Sequence, residues 1–553
     1  MNVKRVAFRL SIIAVLLLVA VAAGAGGTQG GAAAAAPMKI TWMCQYTDAW
    51  YFSMLEEKFN VDIESNGIYV NTKDKVDVML AAGEFPDCGP LGYDPKRMYN
   101  EGVTRPIPKD WIRQYAPKYS QYLSQYSIGW LMNVNPDNEN ELLCLNGINV
   151  GTDSNIYYPM VRCDWMKSVG FDLEQNRDKM RPLDGEGVAY YFDLDITLDW
   201  LTDVLEAFKK GDPDGNGVAD TIPWGACNQI ERSFPTIFGA FGVPSQYNRI
   251  IGGELIDWRI DPSTQDVLKA LRAWYQDGLI DSEFVSIDVR KAWEKIAARK
   301  VAVHHNIHVT SSGNPYDATR PPWSMVSREE IAKGAYVAVL PPPIGPGGAR
   351  GGPNYRSVGP LSYYWYFNKK VDDAKLKKLL EIFDYCTGDT EQYIQRVFGK
   401  PGVHFDWEGE PWNSKPMVRS ADQVPAGYPK QGGIDVYLPL VTDDRVKFYF
   451  NANFATFLKD VLLGPRGKSF SYYPARWDEL GTTNLSDINK KHGTDLKTIW
   501  EEFFYKAVAG TIDIDAEWNA YVKRWRSSGG DAYLAELSKA PLVSELQKGK
   551  IVY

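Results

Sequence analysis

The chain has 553 residues, of which 44% are hydrophobic and 24% are charged, and its formal net charge is -8. This balance is typical of a globular protein, and the length predicts two or more lobes, because single hydrophobic cores stop growing beyond about 300 residues. The acidic balance and the lack of a prominent Lys/Arg run argue against nucleic acid as a partner.

The N-terminal segment has the pattern of an export signal. Basic residues precede an apolar run at 10–23, and small residues follow it. We therefore predict a signal peptide over 1–25 and a flexible Gly/Ala-rich linker over 26–37. The apolar run is shorter than the roughly 20 residues that a membrane-spanning helix needs. No cysteine follows it before Cys44, so we expect no lipid anchor and a soluble, exported, periplasmic protein.

Beyond residue 37, the hydrophobic pattern predicts short strands that alternate with helices. Strands are predicted at 38–44 and 335–340, a strand leading into a helix at 158–172, and a helix leading into a strand at 290–309. Further helices are predicted at 49–63, 74–83, 197–210, 266–278, 372–386, 454–463, 495–510 and 516–528. Thr197 is the expected N-cap of its helix. This alternation predicts an α/β fold.

The stretch GDPDGNGVAD, residues 211–220, has acidic or amide side chains at alternate positions. Such closely spaced negative charges repel unless a cation offsets them, and oxygen ligands at this spacing are typical of a calcium loop. The expected calcium ligands are Asp212, Asp214, Asn216, the Val218 carbonyl and Asp220. An EF-hand-type loop turns at its sixth position, which is Gly217 here.

The loop departs from the EF-hand pattern at its end. Pro223 stands at the twelfth position, where an EF-hand has a bidentate glutamate, and Thr221 at the tenth position offers only a hydroxyl. Water or a residue from elsewhere would complete the shell, and we expect a static, structural site. The alternative is a solvated Asx-rich turn that follows the preceding helix.

The six cysteines form no C-x-x-C pair, which argues against a zinc cluster. An exported chain can form disulfides, but the pairing cannot be read from the spacing, and buried free thiols are the alternative.

Several stretches together resemble one family, the extracellular solute-binding proteins (family 1) of sugar ABC importers. The most distinctive are YYPMVRCDWMKSVGFD at 157–172 and the run from TLDWLTDVLEAFKK through the carboxylate loop to TIPWG at 197–225. Further matching stretches are VMLAAGEFPDC at 78–88, EGVTRPIPKDWIRQYAPKYS at 101–120, VLPPPIGPGG at 339–348 and VFGKPGVHFDWEGE at 397–410. The resemblance covers roughly residues 38–530 and is nearest to the oligosaccharide-binding branch, which includes alginate-binding proteins.

This resemblance implies two α/β lobes of the type II periplasmic-binding-protein kind, joined by crossing segments, with the ligand between them. We predict one lobe from residues 38–161 and about 335–415, and a second, carrying the calcium loop, from 162–334 and about 416–553. The implied partners are a carbohydrate ligand and the membrane subunits of an ABC permease, and we expect a monomer. In the alginate-binding branch the corresponding loop holds calcium, although that branch has an acidic residue where this chain has Thr221.

A sugar site needs aromatic rings for the apolar sugar faces and polar groups for the hydroxyls. The candidates lie at predicted strand ends and in the loops that follow. They are Trp42, Tyr46, Asp87, Arg162, Asp164, Trp224, Tyr363, Tyr364, Trp365 and Trp407. Each ring taken alone is more often a core residue than a ligand contact, so we expect a minority of this set to touch ligand.

The sequence offers little support for an enzyme. His304 and His308 would share a strand face about 13 Å apart, which is too far to chelate one ion, and we interpret VAVHHNIHV as a polar strand end near the cleft. No G-x-S-x-G, H-E-x-x-H or complete phosphate-loop motif occurs. A carbohydrate-active hydrolase with two carboxylates, or a surface binding protein without a transport role, remain the alternatives.

Overall fold

The structure is a computed structural model that describes residues 36–125, 128–147, 156–305, 307–313, 317–353, 364–434, 448, 450–478 and 480–546. The predicted signal peptide lies outside these residues, as do Tyr363 and most of the predicted linker.

Short strands recur along the described chain. They are β1 Met38–Trp42, β2 Val61–Ser65, β3 Cys88–Leu91, β4 Ile107–Pro108, β5 Val134–Asn135, β6 Asn138–Leu142, β7 Met160–Arg162, β8 Met180–Pro182, β9 Ala189–Phe192, β10 Ile222–Gly225, β11 Asn248–Ile251, β12 Glu254–Asp257, β13 Val301–His304, β14 Val337–Val339, β15 Gly352–Pro353, β16 Tyr364–Phe367, β17 Phe405–Trp407, β18 Pro416–Val418 and β19 Ser471–Tyr472.

Helices separate the strands and dominate the last third. They are α1 Trp50–Phe59, α2 Lys73–Ala81, α3 Pro95–Asn100, α4 Lys109–Tyr115, α5 Pro117–Gln125, α6 Cys163–Ser168, α7 Leu198–Lys210, α8 Ile230–Ser233, α9 Pro235–Ala240, α10 Thr264–Gln276, α11 Val289–Ala297, α12 Arg328–Ala332, α13 Asp373–Thr387, α14 Thr390–Phe398, α15 Ala452–Phe457, α16 Pro465–Ser469, α17 Leu485–Val508, α18 Ile514–Trp525, α19 Asp531–Leu537 and α20 Val543–Leu546.

Two sheets organise the fold. The first has four strands in the order β16-β3-β1-β2, with β1 parallel to β3 and β16 antiparallel to it. The second has six strands in the order β10-β13-β7-β14-β9-β8. In this second sheet β10, β13, β14 and β9 run in one direction, whereas β7 and β8 run in the other. The expectation of an α/β fold is confirmed.

The six-stranded sheet is covered on both faces, because successive strand residues point to opposite sides. Val161 belongs to a large apolar cluster that includes residues of α7, α10 and α17, whereas its neighbour Met160 belongs to a second cluster with Phe457 of α15. Ala338 and Val339 alternate in the same way. Helices on both faces of a mostly parallel sheet are typical of the α/β class.

The predicted lobe boundaries need correction. A boundary at 161/162 cuts through β7, and one at 334/335 would assign β14 to the first lobe, yet both strands pair within the six-stranded sheet. The boundary at 415/416 separates β17 from β18, which form one hairpin. Strand pairing is a long-range property, so the local composition on which these boundaries were based could not place them.

Several local predictions are confirmed. The Thr197 side chain accepts a hydrogen bond from the Trp200 amide and caps α7. Gly278, which follows the end of α10, has φ of +65°, a left-handed conformation that glycine adopts readily. The strand predicted through residue 309 instead ends at His304, and His308 pairs with Tyr157 in an isolated bridge.

All six cysteines lie in the described part of the chain as buried free thiols. None of the described helices is long and apolar enough to cross a membrane.

Candidate functional site

Ligands of open α/β folds bind beyond the carboxyl ends of the parallel strands. In the four-stranded sheet, β1 and β3 end at this edge and the antiparallel β16 begins there, with Tyr364 opposite Leu91. Tyr364 is half-buried, and so is Tyr46, which lies in the segment that follows β1. The structure therefore places both predicted tyrosines at the carboxyl edge of the first sheet.

A small cleft of about 60 Å³ opens at Tyr364. One wall comes from the residues after β3, and the other from the segment that precedes α17. Its lining residues are Asp94, Pro95, Lys96, Asn133, Val134, Leu143, Tyr364, Asp478, Leu480 and Gly481. Across this cleft the Lys96 ammonium donates to the Thr483 carbonyl at 3.1 Å. Carboxylates, an ammonium, an amide and a phenol converge here, which suits a ligand rich in hydroxyl groups.

The carboxyl edge of the second sheet carries a stack of aromatic rings. His305 follows β13 and stacks between Trp224 and Tyr157, with ring centroids 5.3 Å and 6.2 Å away. Its Nε2 lies 2.6 Å from the Thr236 hydroxyl. His308 lies next to Tyr157, with its Nε2 3.2 Å from the Tyr157 hydroxyl. This stack leads from the core to half-buried His308.

Burial keeps the two adjacent histidines neutral. It lowers the pKa of His304 from 6.5 to about 3, and the neighbouring His305 contributes in the same direction. Burial also lowers the pKa of His305 to about 3, although a backbone hydrogen bond at Arg232 opposes the shift. Desolvation of the charged form explains both shifts. Both buried histidines are therefore uncharged at neutral pH.

Further along this edge, two arginines bridge the segment after β9 to the C-terminal part of the chain. Arg466 pairs with Asp193 and also donates to Asp195 at 2.9 Å. Arg350 donates to Asp195 at 2.6 Å. Hydrogen bonds from both arginines lower the pKa of Asp195, with Arg466 the larger cause. The charges of the two arginines and the two aspartates therefore balance one another.

Three of the tryptophans predicted to contact ligand are too deeply buried to do so. Trp42, Trp224 and Trp365 are 2%, 0% and 2% exposed. Trp42 and Trp365 pack against each other with centroids 5.2 Å apart, and the Trp224 indole donates to the Ser233 carbonyl at 3.2 Å. A ring enclosed on all sides offers no face to a sugar, so these three are packing residues.

Arg162 and Asp164 lie on the wrong edge for a cleft residue. Because β7 runs antiparallel to β13 and β14, its end at Arg162 lies at the edge opposite the carboxyl ends of the parallel strands. Arg162 is 3% exposed there and pairs with Asp164 and Glu330. Despite partial burial, hydrogen bonds from Ser327 and then from Arg162 lower the pKa of Glu330 to about 2. These charges hold α12 to the sheet, and the predicted ligand role is wrong.

Asp87 is also structural. It precedes β3 and so lies at the amino edge of that strand, away from Tyr364. Its carboxylate accepts from the Thr41 amide at 2.8 Å and from Lys375 at 3.0 Å. Trp407, in contrast, is half-buried in the β17–β18 hairpin and remains a predicted ligand contact.

Sequence reasoning missed Asp94 and Lys96 at the edge of the first sheet, and it did not single out the buried Tyr157 at the edge of the second. A usable signal was present for the first two, because LGYDPK follows the buried strand β3 directly. Strand β3 was not among the predicted strands, so the strand-end rule was not applied to the residues that follow it. Tyr157 lies before an antiparallel strand, and sequence alone does not reveal that direction.

The carboxylate loop folds as a tight turn after α7, with Gly215 and Gly217 at φ of +69° and +85°. Asp212 accepts from the amides of Asn216 and Gly217 at 3.0 Å and 2.7 Å. The Asn216 side-chain amide donates to Asp214 at 2.9 Å and to Asp220 at 3.2 Å. Hydrogen bonds thus link the predicted ligands within one exposed turn.

The loop carries uncompensated negative charge. The backbone hydrogen bond from Gly217 lowers the pKa of Asp212, whereas burial and then the adjacent Asp212 raise the pKa of Asp214. Among the described residues, no three His, Cys, Asp or Glu side chains are arranged to hold a metal. The donor chemistry, hard oxygens with like-charge repulsion between them, nevertheless fits a calcium ion.

No family model matches the chain. The fructooligosaccharide ABC transporter substrate-binding protein FusA of Streptococcus pneumoniae is 24% identical over 289 residues, which are 48% of this chain and 48% of FusA. The alignment thus spans about half the length of this relative. Lipoprotein LipO of Bacillus subtilis is 23% identical over 488 residues, covering 84% of this chain and 83% of LipO. The polygalacturonan/rhamnogalacturonan-binding protein YtcQ of Bacillus subtilis is 24% identical over 374 residues, covering 65% and 68%.

Solved structures share the fold over nearly the whole chain. The FusA complex with kestose has a TM-score of 0.65 at 19% identity and covers 92% of this chain and 99% of FusA. A solute-binding protein of Bifidobacterium longum infantis that binds human milk oligosaccharides (HMO) has a TM-score of 0.67 at 15% identity, covering 93% and 100%. The alginate-binding protein AlgQ2, solved without calcium ion, has a TM-score of 0.60 at 19% identity, covering 91% and 98%.

The fold is therefore that of the two-domain solute-binding proteins. The predicted resemblance to the extracellular solute-binding proteins of carbohydrate ABC importers is confirmed by the relatives and by this fold.

Proposed function

We propose that this chain is the extracytoplasmic solute-binding subunit of an ABC transporter, which captures an oligosaccharide and delivers it to a membrane permease. The observation that carries the proposal is the sequence similarity to the fructooligosaccharide ABC transporter substrate-binding protein FusA, which extends over 48% of this chain. Proteins named for fructooligosaccharide and polygalacturonan binding are among the relatives. The proposed protein is exported, periplasmic and monomeric, and it performs no catalysis.

The proposed mechanism is capture between two lobes, one around each sheet. Tyr364, Asp94 and Asn133 would contact the sugar from the first lobe, and Asp478 from the opposite wall of the cleft. Bridging contacts to both walls stabilise the closed arrangement, and a permease that recognises this arrangement distinguishes loaded from empty protein. Tyr46 and Trp407 remain proposed contacts at the edge of the first sheet.

A thermal-shift screen tests this function. The chain from Pro37 onward is heated with neutral and acidic oligosaccharides, including fructooligosaccharides and galacturonides. Ligand at about 100 times its dissociation constant stabilises the folded state by about 2.7 kcal/mol, so one glycan class should raise the melting temperature. Tyr364→Ala should reduce that rise, whereas Tyr275→Ala, which removes a half-buried tyrosine of helix α10, should preserve it. No rise with any glycan would contradict the proposal.

We further propose that the loop at 212–220 binds a structural calcium ion. A solved FusA variant is described as an EF-hand mutant, which supports a calcium-type loop in a protein of the same fold. Calcium would be held by Asp212, Asp214, Asn216, Asp220 and the Val218 carbonyl, and it would relieve the repulsion among the carboxylates without taking part in chemistry.

Calcium should raise the melting temperature of the wild type, and a chelator should reverse the effect. At about 100 times its dissociation constant the ion contributes about 2.7 kcal/mol. Asp214→Ala should abolish the calcium response, and Asp178→Ala, which removes an exposed aspartate outside the loop, should leave it intact. Identical melting curves of the wild type with calcium and with chelator would show that the loop is only a solvated turn.

A further inference from the structure

An exposed tryptophan in a strained backbone conformation lies in the turn between β17 and β18. Trp412 has φ of +65°, in the left-handed region that favours glycine and is unusual for a bulky residue. It is also 40% exposed, so burial of the ring does not offset this strain. Backbone strain at an exposed tryptophan that gains nothing from burial suggests that the side chain has a binding role.

The turn that carries Trp412 is held in place by its own hydrogen bonds. The Glu408 amide donates to the Lys415 carbonyl at 2.9 Å. The Gly409 amide donates to the Ser414 hydroxyl at 3.0 Å. The strained conformation is therefore fixed before any ligand arrives, which lowers the entropy cost of binding through the ring.

Trp412 does not stand alone. Its ring centroid lies 5.1 Å from that of Trp407, with the two planes at 54°. Trp407 is backed by Phe405 at 5.1 Å and by Phe448 at 6.3 Å. We call Trp407 and Trp412 the tryptophan pair. Its inner ring is anchored in a small core cluster, and its outer ring is open to solvent.

The hairpin is attached to the same edge of the first sheet as Tyr46. His404, immediately before β17, packs against Trp50 with centroids 5.9 Å apart. The Trp50 amide donates to the Gln431 carbonyl at 3.0 Å. Trp50 is the first residue of α1 and follows Tyr46 by three intervening residues. The base of the hairpin that carries the tryptophan pair is therefore anchored next to the segment that carries Tyr46.

The surroundings of the pair favour a carbohydrate over a protein partner. Glu408, Glu410 and Asn413 are exposed around the rings, and carboxylates and amides accept and donate hydrogen bonds to sugar hydroxyls. The central area of a protein interface is depleted in charged residues, unlike this one. An indole face beside acceptors is what a pyranose or furanose ring requires.

We infer that Trp412 is a stacking contact for an outer residue of a bound oligosaccharide, beyond the cleft at Tyr364. This inference rests on the proposed function and extends it, because it makes chain length a determinant of affinity. A disaccharide that fills the cleft does not need the pair, whereas a longer chain reaches it.

The test is a calorimetric titration of a homologous series, from disaccharide to hexasaccharide, of the glycan class that raises the melting temperature. Trp412→Gly removes the ring and at the same time relieves the positive φ, so the variant should fold at least as stably as the wild type. We expect the longer members to bind about fivefold to tenfold more weakly to this variant, and the disaccharide to bind equally well.

Met417→Ala is the matched control, because Met417 is an exposed apolar residue of the same hairpin; it should leave every affinity unchanged. Equal binding of all lengths by Trp412→Gly and by the wild type would overturn the inference while leaving the proposed function standing. A wild type that binds no glycan of any length would refute the proposed function, and the inference with it.

Discussion

Acidification from pH 6.5 to pH 5 should destabilise this protein by about 3 kcal/mol. The folded-state pKa values of His304 and His305 are about 3, below the value of 6.5 for an exposed histidine. Between these limits the unfolded chain binds two protons that the folded chain does not. The full contribution of the two histidines to stability is therefore present well above pH 6.5, and it falls by up to about 3 kcal/mol per pH unit as the pH drops.

Above pH 5 the change in stability comes mainly from the histidines, because the carboxylates remain ionised there. Glu330, with a pKa of about 2, loses its contribution only as the pH falls below the ordinary glutamate range. His404, whose pKa burial also lowers, adds to the histidine effect in the same direction. A total loss of about 3 kcal/mol is a large part of the roughly 5–15 kcal/mol by which domains are stable.

His304→Leu separates the contributions in denaturant titrations at pH 7.5 and pH 5. Both His304 ring nitrogens are buried and have no hydrogen-bond partner among the described residues, so leucine gives up no hydrogen bond there. The variant should lose about half of the acid sensitivity that the two histidines produce. An equal fall in the free energy of unfolding of the wild type and the variant between the two pH values would contradict the proposed effect of the buried histidines.

Replacing Arg162 by leucine should destabilise the protein by about 3–5 kcal/mol, the usual consequence of breaking a buried ion pair. Arg162 is 3% exposed and is shared by Asp164 and Glu330. Its removal takes away the positive charge that Asp164 and Glu330 share. Arg299 still donates to Glu330 at 2.9 Å. Glu330 also forms the capping box of α12 with Ser327, so the damage extends to this helix.

Arg320→Leu is the control, since Arg320 forms an exposed pair with Asp317 at 3.6 Å and such pairs contribute about 0–1 kcal/mol. Chemical denaturation measures both variants, and calorimetric titration measures their glycan affinity. Arg162→Leu should bind glycan as the wild type does wherever it remains folded. Full stability with lost affinity would instead place Arg162 in the binding site.

Local features of this fold could be predicted from sequence because they depend on neighbours in the chain. The apolar spacing of 197–210 and its Thr197 cap define α7 without reference to the rest of the molecule. The turn at Gly217 in the carboxylate loop likewise follows from residues within it. Chain segments that decide their own conformation are the ones that periodicity and capping rules describe.

The site residues were harder to predict, because strand direction and burial are global properties. Arg162 and Tyr364 both stand at strand ends in the sequence. Only the antiparallel pairing of β7 with β13 and β14 shows that Arg162 lies on the edge away from the cleft. The sequence does not distinguish the burial of Trp224 from that of Trp407. In the structure Trp224 is fully buried, whereas Trp407 is half-buried in a hairpin. Trp412 was selected because of its positive φ angle, which cannot be predicted from the amino-acid composition.

The central claim is that this protein binds an oligosaccharide and returns it unchanged. It is tested most directly by calorimetric titration of the wild type with the glycan that raises its melting temperature, followed by mass analysis of the glycan recovered from the complex. We expect saturable binding of one glycan per chain and recovery of the intact oligosaccharide. Recovery of shortened products with new reducing ends, or the absence of saturable binding to any glycan, would contradict the account.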